Sequence, residues 1–420
     1  MAAKKPKELP GKALEGIKVL EYGGFVSAPM CTKLLADLGA EVIKVEPPWV
    51  GDKARRRGPF LQDIPHPERS ALFLYLNINK LSITLDVNTA TGKRIFKELI
   101  RETDLLVENQ PAGRMKELAL DYQSLSQVNP RLVMTSITPF GQTGPYSTYK
   151  SYPLNTYHAG GEGYCLPGGL GWLLYSDRPP IKMGAFVGEC DTGVSAASAA
   201  LAALIWRETT NKGQHIDISQ QEVLLNLVRF DIASFNTGWV ESRATRSFPI
   251  AGLMQCKDGF VQVMPLLRHM WEALVDLVGN PEWAKQEDFD NLMARFYSGD
   301  RPSGVTQQEV NKRLEKWMLQ HTKEEIYHGG QARGLAVGIV SSVEDLFQSK
   351  QLKARDFFAE IEHPETGQIP YPSAPYKYSE TPWRVERPAP GLGEDNVQIY
   401  SRRMGYSQED LVRMRQAGVI

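Results

Sequence analysis

The chain has 420 residues, with 48 basic side chains against 49 acidic ones and a formal net charge of −1. That balance gives no electrostatic footprint for nucleic acid or an anionic membrane surface, and an apolar share of 42% argues for packed domains, not disorder. The four cysteines (Cys31, Cys165, Cys190, Cys256) have no C-x-x-C spacing, so neither a zinc site nor a disulfide framework is expected. The polar start M-A-A-K-K-P-K and the lack of a bilayer-length apolar run place the protein, as an expectation, in the cytoplasm.

In chain order, I17-K-V-L-E-Y reads as a buried strand, M30-C-T-K-L-L-A-D-L-G as a helix stopped by Gly39, and E41-V-I-K-V-E as the next strand. Such a β-α-β unit implies a parallel sheet with a right-handed crossover. The loop at Gly23-Gly24 falls at the carboxyl end of the first strand, where open α/β sheets bind ligands, but it lacks the G-x-G-x-x-G of a dinucleotide site. The loop from Pro47 to Pro59 carries Lys53, Arg55, Arg56 and Arg57, which read equally as a solvated run or as a patch for a phosphorylated ligand.

Y75-L-N-I-N-K-L-S-I-T-L-D predicts a strand, T91-G-K-R-I-F-K-E-L-I a helix, and D104-L-L-V-E-N a strand ending at Asn109. A helical stretch near Arg114–Leu120 and the strand L132-V-M-T-S-I-T follow. Residues 139–180 are rich in Gly, Pro and aromatics with little periodicity, the mark of a functional loop region. A strand recurs at H215-I-D-I-S and a helix is expected from Gln220 to Phe235. Beyond Arg243 the composition shifts. Cys256-Lys257-Asp258-Gly259 reads as a hairpin turn, amphipathic helices fill most of 270–329, Pro372–Pro390 reads as a linker, and S407-Q-E-D-L-V-R-M-R-Q as a capped helix.

The stretch from Gly184 to Trp206 is G-A-F-V-G-E-C-D-T-G followed by a helix of small and apolar residues. Asp191 or Thr192 is the expected N-cap, and Gly193 admits a close neighbour at the first turn. Carboxylates there sit at the positive end of the helix dipole, which favours an anion, and a fixed anion can act as a nucleophile. Taken alone, the pattern reads more simply as a capped core helix.

Several of these pieces occur together in one family. L-E-G-I-K-V-L-E, A-P-M-C-T-K-L-L-A-D-L-G-A-E-V-I-K-V-E, L76-N-I-N-K-L-S-I-T-L-D, D104-L-L-V-E-N-Q-P-A-G, N129-P-R-L-V-M-T-S-I-T-P-F-G-Q-T-G-P-Y, K212-G-Q-H-I-D-I-S and G405-Y-S-Q-E-D-L resemble class III CoA-transferases, essentially end to end. The resemblance implies an α/β fold with a large Rossmann-like CoA-binding domain, its parallel sheet formed by both chain ends, and a smaller α+β domain. The expected boundaries are 1–244 for the first part of the large domain, about 245–345 for the small one, and 346–420 for a linker returning to the large domain. It also implies an interlocked dimer with a homologous subunit, homo- or heteromeric.

The implied reaction moves CoA from an acyl-CoA, with succinyl-CoA the expected donor, to a free organic acid. CoA thioesters are then substrates, and no permanently bound cofactor or metal is expected. In the family an aspartate attacks the thioester to form a mixed anhydride, which the CoA thiolate converts into an enzyme thioester. That position falls here on Glu189. One extra methylene moves the attacking oxygen by about 1.5 Å, a displacement that costs roughly 100-fold in rate unless the pocket adjusts. Two readings follow: Glu189 is the nucleophile, or it marks an idle subunit paired with an Asp-bearing homologue. The second resembles heteromeric members acting on benzylsuccinate in anaerobic aromatic degradation. Cys190 and Asp191 are out of register for the role. CoA contacts carry over to Phe25, Leu85, Val87, Asn109 and Lys150, while two basic CoA-binding positions fall on Pro47 and Glu117. The run Lys53–Arg57 or the pair Arg114 and Lys116 are the candidates to replace them. The histidine that serves as a base in the family's racemases corresponds to Tyr152, which argues against that chemistry.

Overall fold

The computed structural model describes residues 11–165, 177, 179–226, 232–233, 250–285, 287, 289–293 and 306–420. The chain divides into two compact units: 1–163, 182–229 and 356–420 form one, and 164–181 with 230–355 form the other.

The first unit is built on six parallel strands, β1 (Lys18–Tyr22), β2 (Glu41–Glu46), β3 (Lys80–Thr84), β4 (Leu105–Glu108), β5 (Val133–Thr138) and β6 (His215–Ser219). Their order across the sheet is β3-β2-β1-β4-β5-β6, so the progression reverses between β1 and β4. Beyond the carboxyl ends of the strands at such a reversal is where open α/β sheets bind ligands. The loops concerned here are Gly23–Val26 and the one beginning at Asn109.

Side chains alternate across the sheet, and each face has its own core. On one face Val19, Val42, Leu105, Val107 and Val133 pack against helix Ser27–Asp37 and the long helix Val187–Thr210. The long helix contributes Ala196, Ala197, Ala200 and Ala203, whose small side chains let it lie close to the strands. On the other face Leu20, Ile43, Leu106 and Met134 meet helix Ala90–Ile100 and the C-terminal residues Tyr400, Leu411 and Met414. Ser407 and Asp410 form the capping box of the final helix, Gln408–Gln416.

All six strands come from the first 219 residues, which corrects the expectation that both chain ends build the sheet. The C-terminal segment instead seals the free edge of β3. Ser82 N–H donates to Asp395 Oδ2 (2.8 Å) and Thr84 N–H to Asn396 Oδ1 (2.9 Å), while Tyr400 Oη donates to Thr84 O (2.7 Å). A second correction concerns residues 75–79. The strand expected from Tyr75 starts only at Lys80, because Ser70 caps a short helix, Ala71–Leu76, ahead of it.

In the second unit, β7 (Gly252–Cys256) and β8 (Gly259–Val263) form the expected hairpin around Lys257-Asp258, and β9 (Val337–Val340) completes a three-stranded antiparallel sheet. Val261, Val263, Trp271, Leu274, Leu314 and Ile326 make its core. A further hairpin, β10 (Phe358–His363) with β11 (Gly367–Pro372), belongs to the first unit and has no counterpart in the sequence reading. The helix expected from Gln220 covers Gln220–Leu225, and its continuation to Phe235 lies outside the described residues. Among the described residues, no helix is long and apolar enough to cross a membrane and no cluster of ligands could hold a metal ion.

Candidate active site

The crevice loop after β1 is held by a buried ionic cluster. Glu21 lies on the face of β1 turned to helix Ser27–Asp37 and is bonded to Lys44 (2.6 Å), Lys80 (2.9 Å) and Thr32 Oγ1 (2.6 Å). Burial alone would raise the Glu21 carboxyl, but the two lysines and their hydrogen bonds bring it below the usual range. Lys80, boxed in by burial, is pushed down to about 8. Lys44 reaches on to Asp52 (2.7 Å) and to Gly23 O (3.2 Å). Asp52 Oδ1 then accepts from Phe25 N (2.8 Å) and Ala54 N (2.8 Å). The turn is closed from the other side by Asn109, whose Oδ1 accepts from Gly24 N (2.9 Å) while Nδ2 donates to Gly24 O (2.8 Å) and Ser27 Oγ (3.1 Å). Phe25 adopts φ 67°, a conformation uncommon for a large side chain, so this bracing fixes a backbone that would otherwise relax.

The bracing leaves the start of helix Ser27–Asp37 open. Its N-cap, Val26, makes no side-chain cap, so the N–H groups of the first turn point out of the helix without a side-chain acceptor. The long helix runs against this end at Gly193. A Cβ there would lie 2.6 Å from Met30 Cβ and 2.8 Å from Ser27 O, so only glycine allows the approach.

The long helix starts earlier than its sequence suggested. It runs from Val187, with Phe186 as N-cap, so Asp191 and Thr192 are interior residues and cap nothing. Thr192 Oγ1 donates back to Gly188 O (2.7 Å), spending its hydroxyl inside the helix. The shift puts Glu189 in the first turn, four residues before Gly193 and therefore on the same helix face. Glu189 is only 5% exposed. Its Oε1 accepts from Gln220 Nε2 (2.9 Å), while its Oε2 is buried with no hydrogen-bond partner.

The neighbouring candidates are weaker. Burial, reinforced by the carboxylates of Glu189 and Asp191, pushes the Cys190 thiol up to about 11, so it is not a thiolate at neutral pH. Asp191 is half-buried, and burial raises its carboxyl.

The residues expected to contact CoA are spread over the carboxyl side of the sheet. Phe25 stands edge-on to Phe186 with ring centroids 4.8 Å apart, which ties the first crevice loop to the start of the long helix. Asn109 spends its side chain on the turn. Leu85 and Val87, just past β3, are both 2% exposed and part of the core, so any contact they make with a ligand is through backbone. Lys150 is exposed.

The basic run divides. Arg55 is fully buried and committed to Glu46 through two 2.8 Å contacts and to Glu68, which removes it from any phosphate patch. Lys53, Arg56 and Arg57 remain exposed, and the Arg57 guanidinium lies 5.8 Å from the Phe186 ring. Arg114 pairs with Glu117 (2.8 Å), so Glu117 draws on the cation proposed to replace it. Two participants went unnoticed in the sequence, Gln220 and Asp52. Neither belongs to a motif with chemical meaning, and only the folded chain brings them to Glu189 and Phe25.

The first unit is thus a parallel α/β sheet with a braced loop after β1 and a buried, half-paired carboxylate in the first turn of the long helix. Residues 14–396 match the sequence profile of CoA-transferase family III. The chain is 31% identical to a formyl-CoA:oxalate CoA-transferase of Streptomyces coelicolor, covering 98% of this chain and 100% of the relative. It is 30% identical to a succinyl-CoA–D-citramalate CoA-transferase of Chloroflexus aurantiacus, covering 98% and 99%. A CaiB/BaiF family protein from Brucella suis of known crystal structure superposes with a TM-score of 0.79 at 29% identity, covering 93% of this chain and 99% of that one. The chain belongs to CoA-transferase family III and is a class III CoA-transferase.

Proposed function

We propose that Glu189 is the nucleophile of a CoA exchange between an acyl-CoA and a free organic acid, with succinyl-CoA as donor. The observation that carries the reading is the asymmetry of its carboxylate: Oε1 is held by Gln220, while Oε2 is buried without a partner. A buried polar oxygen left unbonded costs roughly 1–3 kcal/mol, so it calls for a use.

In this reading Oε2 attacks the thioester carbonyl, and the CoA thiolate leaves as a mixed anhydride forms. The thiolate then attacks the Glu189 acyl carbon, releasing the donor acid as its carboxylate and leaving an enzyme thioester. The acceptor carboxylate attacks that thioester, forming a second anhydride and freeing the thiolate, which takes the acceptor acyl group and regenerates Glu189. The uncapped N–H groups at the start of helix Ser27–Asp37 are suited to receive the oxyanion of the first attack. Phe25, Asn109, the backbone at Leu85 and Val87, and Lys150 border the CoA site, and Arg57 is the exposed cation best placed to take over a phosphate contact.

The family resemblance also supports an interlocked dimer, and a partner fits the apolar side chains of Val194, Ile205 and Trp206 left exposed on the long helix; the composition supports a cytoplasmic location. The domain division expected from the sequence, with a small domain at 245–345 and a returning segment at 346–420, is part of the same proposal.

The test is to incubate the purified protein with an acyl-CoA, trap with hydroxylamine or borohydride, and map the modified residue by mass spectrometry. Modification at Glu189 is expected. Modification only on a co-purifying homologue overturns the reading in favour of the idle-subunit alternative.

A further inference from the structure

Gln220 follows directly on β6 and opens helix Gln220–Leu225. Its base is rigid. Ser219, the last residue of β6, pairs with Thr138 of β5 and caps the helix through its hydroxyl on Glu222 N (3.3 Å), while Gln221 N donates to Pro139 O (3.0 Å). One turn on, and on the same face as Gln220, Leu224 is fully buried against Gly188. A Cβ at Gly188 would come within 3.1 Å of the Leu224 side chain, so the spacing of the two helices is set one residue away from Glu189. Gln220 is itself 9% exposed, and its amide nitrogen sits 2.9 Å from Glu189 Oε1. A carboxylate only accepts, so the amide must present its NH₂ to it.

We propose that Gln220 is both a positioning and a catalytic residue, acting on the two halves of the exchange through the one oxygen it holds. The proposal rests on Glu189 being the nucleophile. With Oε1 pinned, the side chain cannot rotate its two oxygens into equivalence, and Oε2 is the one that attacks. A neutral amide does this without pairing the negative charge, as a lysine or arginine in its place would do. Once Oε2 carries the acyl group, Oε1 is the carbonyl oxygen of the Glu189 acyl carbon. Attack of the CoA thiolate on that carbon drives an electron pair onto Oε1, where the Gln220 N–H is already in place to receive it. The carboxylate of the donor acid then departs and the pair returns to re-form the carbonyl. The amide therefore holds the nucleophile in the first step and stabilises the oxyanion in the second. It also fits the longer side chain at this position. An aspartate would withdraw its oxygens by about 1.5 Å and leave the amide out of hydrogen-bond range.

The experiment compares Gln220→Met, Gln220→Glu and Glu189→Asp in the full-length protein. Methionine fills a similar volume without a donor, so folding, checked by the melting curve, is retained. We expect kcat to fall about 100-fold with the KM for acyl-CoA unchanged. Gln220→Glu keeps the shape but replaces the donor by a repelling carboxylate. Its activity should recover as the pH is lowered and the introduced carboxyl gains a proton to donate, a response that loss of packing alone would not give. In a Glu189→Asp background, adding Gln220→Met should cost less than 3-fold, because the contact is already broken. If Gln220→Met keeps wild-type kcat while exchange still depends on Glu189, the role of Gln220 is refuted and the nucleophile reading stands. If Glu189→Gln leaves exchange intact, both are refuted.

Discussion

Glu21 and Glu189 are both buried carboxylates at the carboxyl end of the sheet region, yet they are treated in opposite ways. Glu21 has both oxygens occupied, by Lys44 on one and by Lys80 and Thr32 on the other, and the charges around it balance within the cluster. Glu189 has one oxygen held by a neutral amide and one left open. A carboxylate saturated by cations is a structural bolt, because its charge is already spent. One steadied by an amide alone keeps its charge available. Under the proposed assignment of Glu189 as nucleophile, this difference separates scaffold from chemistry where burial does not, since Glu21 is 0% and Glu189 5% exposed.

Four variants test that contrast. Glu189→Gln should lower exchange by at least ~1,000-fold while leaving the melting curve unchanged, as measured by steady-state CoA transfer and thermal unfolding. Glu21→Gln should do the reverse. It leaves two buried ammonium groups short of a counter-charge, so unfolding in urea should show a loss of about 3–5 kcal/mol, with the residual folded fraction still acylating Glu189.

A third carboxylate sharpens the comparison. Glu108, at the end of β4, has no cation partner; its Oε2 accepts from the Gln110 amide (2.7 Å), its Oε1 is buried without a hydrogen bond, and burial pushes the carboxyl up to about 7. Its folded value lies above its unfolded one, so the native state binds the extra proton and stability falls as the pH rises between about 4.5 and 7. Glu108→Gln should flatten that slope and raise stability above pH 7 by roughly 3 kcal/mol at most, read from urea midpoints across the range. The smallest effect is expected at Gly193→Ala, where the added methyl meets Met30 and Ser27. It should destabilise by roughly 1–3 kcal/mol and, by tilting the long helix, slow Glu189 acylation more than it weakens acyl-CoA binding.

The parallel sheet was legible because its strands are short apolar runs separated by helices with Gly stops, as at Gly39, and because the family motifs fall on its carboxyl-end loops. Glu189 was legible for the second reason alone. The start of its helix was not legible, because Asp191 and Thr192 have the chemistry of caps while the actual boundary at Phe186 carries no side-chain cap. Arg55 looked like its neighbours in a basic run. Its commitment to Glu46 depends on β2 lying alongside the loop, which charge counting cannot see. Gln220 was silent for the same reason, since an amide 31 positions from its partner carries no local signature.

The sealing of β3 by Asp395 and Asn396 has a consequence for how the protein is made. Ser82 and Asp395 are 313 positions apart, so during synthesis the sheet presents an unpaired edge for as long as those positions take to emerge. At typical elongation rates of about 5–20 residues per second that interval is on the order of 15–60 seconds. Until the closing segment arrives, a neighbouring nascent strand can pair with the open edge of β3 as readily as its own chain can cover it. The open interval therefore sets translation in a race against edge-to-edge association, which faster elongation or chaperones that mask strand edges would tilt toward the native protein.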